Sequence, residues 1–306
     1  MTCARESYET TTRMRPLKNA FEPTLFAGML PAPVVLHRDR RCQVSDRGRF
    51  REMSLRGIWQ SSLADIAQQF SVERVVADID DRWNGKSIEF LGELPPSVRS
   101  VFLAPAAKVD WSPLESARAL ESITLYVAKG DIPASVDFAK LKRLRVCSIP
   151  WLPQWDSIRR CASLQSLTLR DSTELQALDL RDLARLEELI LEGLFALGQL
   201  ELASDAKIRS LKVAGCPELA FDLDRLTETL EWLFLSGKLA LPLDALAKAR
   251  HLQKVVLTHI PGREPIPPFL IHLPQLIGAD VLSARLSKPD QELLAALHAK
   301  RRQQKR

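Results

Sequence analysis

One hydrophobic pattern recurs along most of this chain: an apolar residue, two others, an apolar residue, one other, an apolar residue. Good copies are LESITL from Leu120, LKRLRV from Leu141, LQSLTL from Leu164 and LEELIL from Leu186. IRSLKV from Ile208, LEWLFL from Leu230 and LQKVVL from Leu252 continue it. The copies start 21 to 23 residues apart. VRSVFL from Val98 extends the series upstream, and VERVVA from Val72 fits less well. LPQLIG from Leu273 is a degraded last copy. The alternating end of each copy predicts a short strand with one face buried. A unit of this length cannot bury a core alone, so the units must stack.

A second register, 11 residues out of phase, appears as LQALDL from Leu175 and LGQLEL from Leu197. It predicts short strands on the back of the stack over 164–204, in place of helical segments. Ser61 and Ser62, followed by Leu63, Ile66, Ala67 and Phe70, predict an amphipathic helix capping the first copy. Ser287, Pro289 and Asp290, followed by Leu293, Leu294 and Leu297, predict a helix closing the other end.

The repeat resembles the leucine-rich-repeat family, with bacterial-type units of about 22 residues. The resemblance covers about residues 72–282. It implies an α/β solenoid: a horseshoe with a concave parallel β-sheet, short helical or β/3-10 convex segments and helical caps. The family's usual asparagine at the ninth position is missing. Ser172, Leu194, Cys216, Lys238 and Ile260 stand there. Three regions follow: a basic, partly disordered segment at 1–56, the array at 57–284 with nine or ten strand copies, and a capping helix with a basic tail at 285–306. Residues 1–48 are expected to be largely without order.

Composition narrows the class. The chain has 306 residues, 46% of them hydrophobic and 26% charged, as in globular proteins. Its net charge of +5 is unevenly placed. Residues 1–56 carry 11 basic and 6 acidic side chains, residues 285–306 carry 7 and 2, and the array between is net acidic. Five scattered cysteines without a CxxC predict neither a disulfide framework nor a zinc site, and a cytoplasmic location. No secretory signal is recognised; delivery out of a bacterium as an effector is the alternative location.

No nucleotide-binding, metalloprotease or serine-hydrolase motif occurs. The histidines, His251 and His259 included, read as surface groups, and Cys147 as a plain thiol. No catalytic residue, metal or cofactor is expected. Outward positions are the third, fifth and seventh of each copy, on a sheet about 43 Å long at about 4.8 Å per strand. That extent suits a protein partner better than a small molecule.

The fifth and seventh positions bring Arg145 and Arg170 close together, with Arg143 beside them. Trp232 and Phe234 share one strand. Partner contact is therefore expected at Phe102, Tyr126, Arg143, Arg145, Arg170, Glu192, Lys212, Trp232 and Phe234. Trp151 and Trp155 are a further loop pair, read as rim or core. The resemblance implies a non-enzymatic adaptor, immunity or effector-type protein binding its partner through the concave face. The rival reading is nucleic acid or anionic membrane held by the basic ends.

Overall fold

The fold is seen in a computed structural model. It describes residues 33–78, 83, 87–105, 109–126, 136, 138–147, 158–237, 243–258, 268–282 and 288–304. One 13-stranded sheet runs the length of the array. Its parallel part contains every repeat copy: β4 (Arg74–Asp78), β5 (Ser100–Ala104), β6 (Ser122–Tyr126), β7 (Arg143–Cys147), β8 (Ser166–Arg170), β10 (Glu188–Glu192), β12 (Ser210–Ala214), β13 (Trp232–Ser236), β14 (Lys254–Thr258) and β15 (Gly278–Leu282). Strands pair only with the previous and next copy, and β8 to β14 keep one register throughout. The leucine row Leu167, Leu189, Leu211, Leu233 is fully buried beneath them.

The back of the stack changes along its length. Where the second register was read, β9 (Ala177–Leu180) and β11 (Gln199–Leu202) form a separate parallel pair. Before and after them the back is made of 3-10 turns, at Glu89–Glu93, Ser112–Ser116, Leu223–Leu226, Leu243–Lys248 and Pro268–His272. The convex face is therefore both β and 3-10. Leu178 and Leu180 alternate inward on the β part, while Leu223 and Leu226 reach the same core from a turn.

Two expectations are corrected. The N-terminal region contributes β1 (Val34–Arg38), β2 (Cys42–Asp46) and β3 (Arg51–Leu55). β1–β2–β3 pair antiparallel and β3 pairs parallel with β4, so the sheet begins well before residue 57. Cys42, Val44, Met53 and Leu55 supply its buried face. These alternate within strands of five residues, too short to rise above their charged surroundings in the sequence.

The last copy is also shifted. Lys254 lies opposite Gly278, so the copy begins at Leu276 and not at Leu273. Leu273 instead closes the preceding 3-10 turn, because Pro274 cannot donate to a ladder. Ala279, expected to face outward, is buried, and Ile277 lies just before the strand.

The missing asparagine has a substitute. The turns after β8, β10, β12 and β13 are stabilised one residue earlier. Asp171, Gly193, Gly215 and Gly237 all have positive φ, and their N–H groups donate to Glu192, Ala214, Ser236 and Thr258 carbonyls at 2.8 to 3.1 Å. Cys216 adds weak sulfur contacts to the Leu191 and Ala214 carbonyls. The 22-residue spacing of the three glycines is the signal that reading for asparagine missed. A Cβ on Gly215 would lie 3.4 Å from the Gly193 backbone nitrogen, at a φ of +64°. Gly215→Ala is expected to cost about 1–2 kcal/mol. A urea midpoint unchanged from the parent would contradict this.

The C-terminal end is capped as the pattern predicts, whereas the predicted N-terminal helix forms between β3 and β4 and β1 is the edge of the sheet. α1 (Ser62–Gln69) buries Leu63 and Ala67 beside the first copies. α2 (Lys288–Gln304) packs on β15 and the last 3-10 turn, with Leu297 buried. No helix among the described residues is long and apolar enough to cross a membrane.

Candidate binding face

The outer face of the sheet is built from three rows, one side chain per strand in each. The third row runs Ser100, Ser122, Arg143, Ser166, Glu188, Ser210, Trp232, Lys254. The fifth runs Phe102, Thr124, Arg145, Thr168, Ile190, Lys212, Phe234, Val256. The seventh runs Ala104, Tyr126, Cys147, Arg170, Glu192, Ala214, Ser236, Thr258. Strand register sets these neighbours side by side.

The charges expected to recognise a partner do not behave alike. Glu192 ion-pairs with Arg170 at 2.5 Å and also with Lys212. The Lys212 side chain is only 5% exposed and Glu192 only 13%. The Lys212 ammonium lies 4.9 Å from the centre of the Phe234 ring, which in turn stacks on Trp232 at 6.1 Å. One continuous row thus links Arg170, Glu192, Lys212, Phe234 and Trp232 across four strands. Lys212 was expected to meet a partner, but it is enclosed between a carboxylate and an aromatic face. Its position at a fifth residue predicted the direction of the side chain. Its burial depends on Glu192 and Phe234, which lie 20 and 22 residues away.

Of the other expected contact residues, Arg143 is exposed, and Phe102, Tyr126, Arg145, Arg170, Trp232 and Phe234 are half-buried. Phe102 and Tyr126 lie toward one end of the array and Trp232 and Phe234 toward the other, with the arginines between. Cys147 is buried, and burial pushes its thiol up to about 11, which makes it a poor nucleophile. Trp151, Trp155 and His259 lie outside the described residues.

A second group lies at the N-terminal edge. His37, Asp39 and Cys42 bring three donor atoms within 4.8 Å of one another. Asp39 Oδ1, however, accepts from the Arg41 and Cys42 N–H groups at 2.7 Å, and Oδ2 accepts from the Arg41 guanidinium. Burial opposes ionisation of Asp39, but these bonds outweigh it and bring its carboxyl to about 2. Arg41 also reaches Gln60 and Ser62 at the start of α1. The group ties the β1–β2 turn to the first helix, and its carboxylate is fully engaged in doing so.

No protein-family model and no curated protein matches the sequence. Solved structures do resemble the fold. An internalin from Listeria monocytogenes is 13% identical, with a TM-score of 0.46, over 76% of this chain and 67% of that one. A leucine-rich-repeat protein from Leptospira interrogans is 16% identical, with a TM-score of 0.49, over 74% of this chain. Toll from Drosophila, solved in complex with Spatzle, is 13% identical, with a TM-score of 0.49, over 83% of this chain. The match covers 58% of the Leptospira protein and 37% of the Toll chain. What identifies the architecture is the molecule's own regularity: copies of one apolar motif near 22 residues apart, each a parallel strand beside the next, over a continuous leucine core. The chain is a leucine-rich-repeat solenoid.

Proposed function

We propose that this chain is a non-enzymatic scaffold that binds a protein partner on the concave face of its long sheet. The observation that supports this most is the composition of the outward rows. Trp232 and Phe234 form a half-buried stacked pair, and exposed Arg143 lies on the same open face. Tryptophan, tyrosine and arginine dominate binding hot spots, and the face is long enough for an interface of ordinary size. An adaptor or immunity role in a reducing compartment fits the buried thiols of Cys42, Cys147, Cys161 and Cys216.

Site-specific photo-cross-linking tests the reading. A benzoylphenylalanine placed at Ser236, beside the aromatic pair, is expected to cross-link a protein in lysate. The same group at Phe195, exposed on a turn away from this face, is not. Trp232→Ala is expected to weaken binding of the identified partner about 30-fold, a loss of about 2 kcal/mol. Cross-links from Phe195 alone would place the interface elsewhere. So would binding that disappears with the α2 tail and follows nucleic acid or lipid.

A further inference from the structure

The two ends of the long sheet are finished differently. At the far end α2 packs on β15. At the near end β1 has β2 on one side and no strand on the other. The N–H and C=O groups on the outer edge of this five-residue strand therefore belong to no ladder. Its apolar side chains are uncovered as well. Val34 is 62% exposed, Val35 48% and Leu36 37%. Among the described residues no other strand exposes consecutive large apolar side chains.

The charge around β1 has one sign. Residues 33–56 hold seven arginines and three carboxylates. Each carboxylate is already matched: Asp39 holds Arg41, Asp46 faces Arg51, and Glu52 holds both Arg47 and Arg74. Arg38, Arg40 and Arg49 are exposed and make no ion pair among the described residues. Arg38 ends β1 and Arg40 lies in the turn after it. Arg49 lies in the β2–β3 turn, just past Asp46, which stands opposite Val34. The apolar edge thus has positive charge beyond both of its ends.

That arrangement selects the occupant. A second copy pairing antiparallel through β1 would set the Arg38 end of each strand against the Arg49 end of the other, and opposed like charges destabilise such a pair. A bilayer would leave the edge N–H and C=O groups unsatisfied. An extended polypeptide satisfies them, and acidic residues on either side of an apolar centre would meet the arginines.

We propose that the outer edge of β1 takes up, as an added strand, a short segment of a protein partner that is apolar at its centre and acidic on both flanks. This surface is separate from the concave face and does not rest on that reading. The bulge between Val35 and His37 keeps the added ladder short. Five residues of strand span about 17 Å, so the acidic flanks lie about four to six residues apart.

The test uses fluorescein-labelled peptides and fluorescence anisotropy with the full chain. The probe is two glutamates, Val-Thr-Val and two glutamates. One companion replaces the glutamates by glutamines and is expected to bind about tenfold more weakly. The other keeps every charge but carries N-methyl groups on the three central amides, and is expected to lose at least tenfold because it cannot form the ladder. Hydrogen exchange is expected to slow in β1 when the acidic probe binds, and to stay unchanged in β7 and β13.

The triple variant Arg38→Gln/Arg40→Gln/Arg49→Gln is expected to weaken the acidic probe about tenfold. Arg118→Gln/Arg185→Gln/Arg250→Gln removes the same charge from exposed turns leading into β6, β10 and β14, and is expected to leave binding unchanged. If the first triple variant does not fold, Arg49→Gln alone, in a turn, carries the test. No binding of the acidic probe, equal binding of the N-methylated one, equal losses in both triple variants, or protection on the concave face instead of β1 would each overturn the proposal. So would three other occupants: a dimer in light scattering whose β1 is protected without peptide, slow exchange of β1 in the free monomer, or protection of β1 by phosphatidylserine vesicles and by no peptide.

Discussion

Replacing Glu192 with leucine is expected to lower the unfolding free energy by about 3–5 kcal/mol. The carboxylate is what permits an ammonium to stay beneath the outer face. Lys212 has a side chain only 5% exposed and meets the Phe234 ring on its other side. Without Glu192 the charge is left buried, and the ring alone replaces little of its lost hydration. Arg170 suffers less, because its side chain is 31% exposed and can turn toward water.

A paired substitution separates this cause from lost packing. Glu192→Leu with Lys212→Met removes both buried charges at similar volume and is expected to recover most of the stability, whereas Lys212→Met alone leaves Glu192 with Arg170 and costs little. Urea unfolding followed by circular dichroism decides it. A double variant as unstable as Glu192→Leu alone would show that the carboxylate matters for some reason other than Lys212.

The second large effect is expected in the leucine ladder. Leu211→Ala should cost about 2–5 kcal/mol, the range for emptying a closed core site. Leu211 is fully buried between Leu189 and Leu233, in register on both sides. In a solenoid each unit touches only its neighbours, so the damage should stay local. Hydrogen exchange is expected to speed up in β10, β12 and β13 while β4 and β5 keep their protection. Uniformly faster exchange along the whole sheet would mean that the array unfolds as one body, against nearest-neighbour stacking.

Much of the fold was legible because it follows from a period. Leu167, Leu189, Leu211 and Leu233 recur at one spacing and have one neighbour on each side, so a one-dimensional pattern translates directly into a one-dimensional stack. The half-period at Leu175 and Leu197 carried the same information about the back, and β9 and β11 followed it. Legibility failed where the period did. β1, β2 and β3 do not repeat the motif, and their short alternations have no second copy for comparison. At the other end LPQLIG matched the motif by letter, but Pro274 and the preceding 3-10 turn moved the strand three residues on.

The candidate face divides in the same way. That Arg143, Arg145, Arg170, Lys212, Trp232 and Phe234 point outward followed from alternation within the strand, a property of the backbone alone. Which of them remain available to a partner did not. Lys212 is enclosed because Glu192 stands one strand before it and Phe234 one strand after. Arg143 stays exposed where serines flank it. The sequence by itself determined the architecture and the direction of each side chain, since both depend on periodicity and local geometry. The tertiary structure decided the burial and the charge balance of the face, because a side chain's electrostatic surroundings come from residues about 22 positions away that only the stacking brings within a few ångströms.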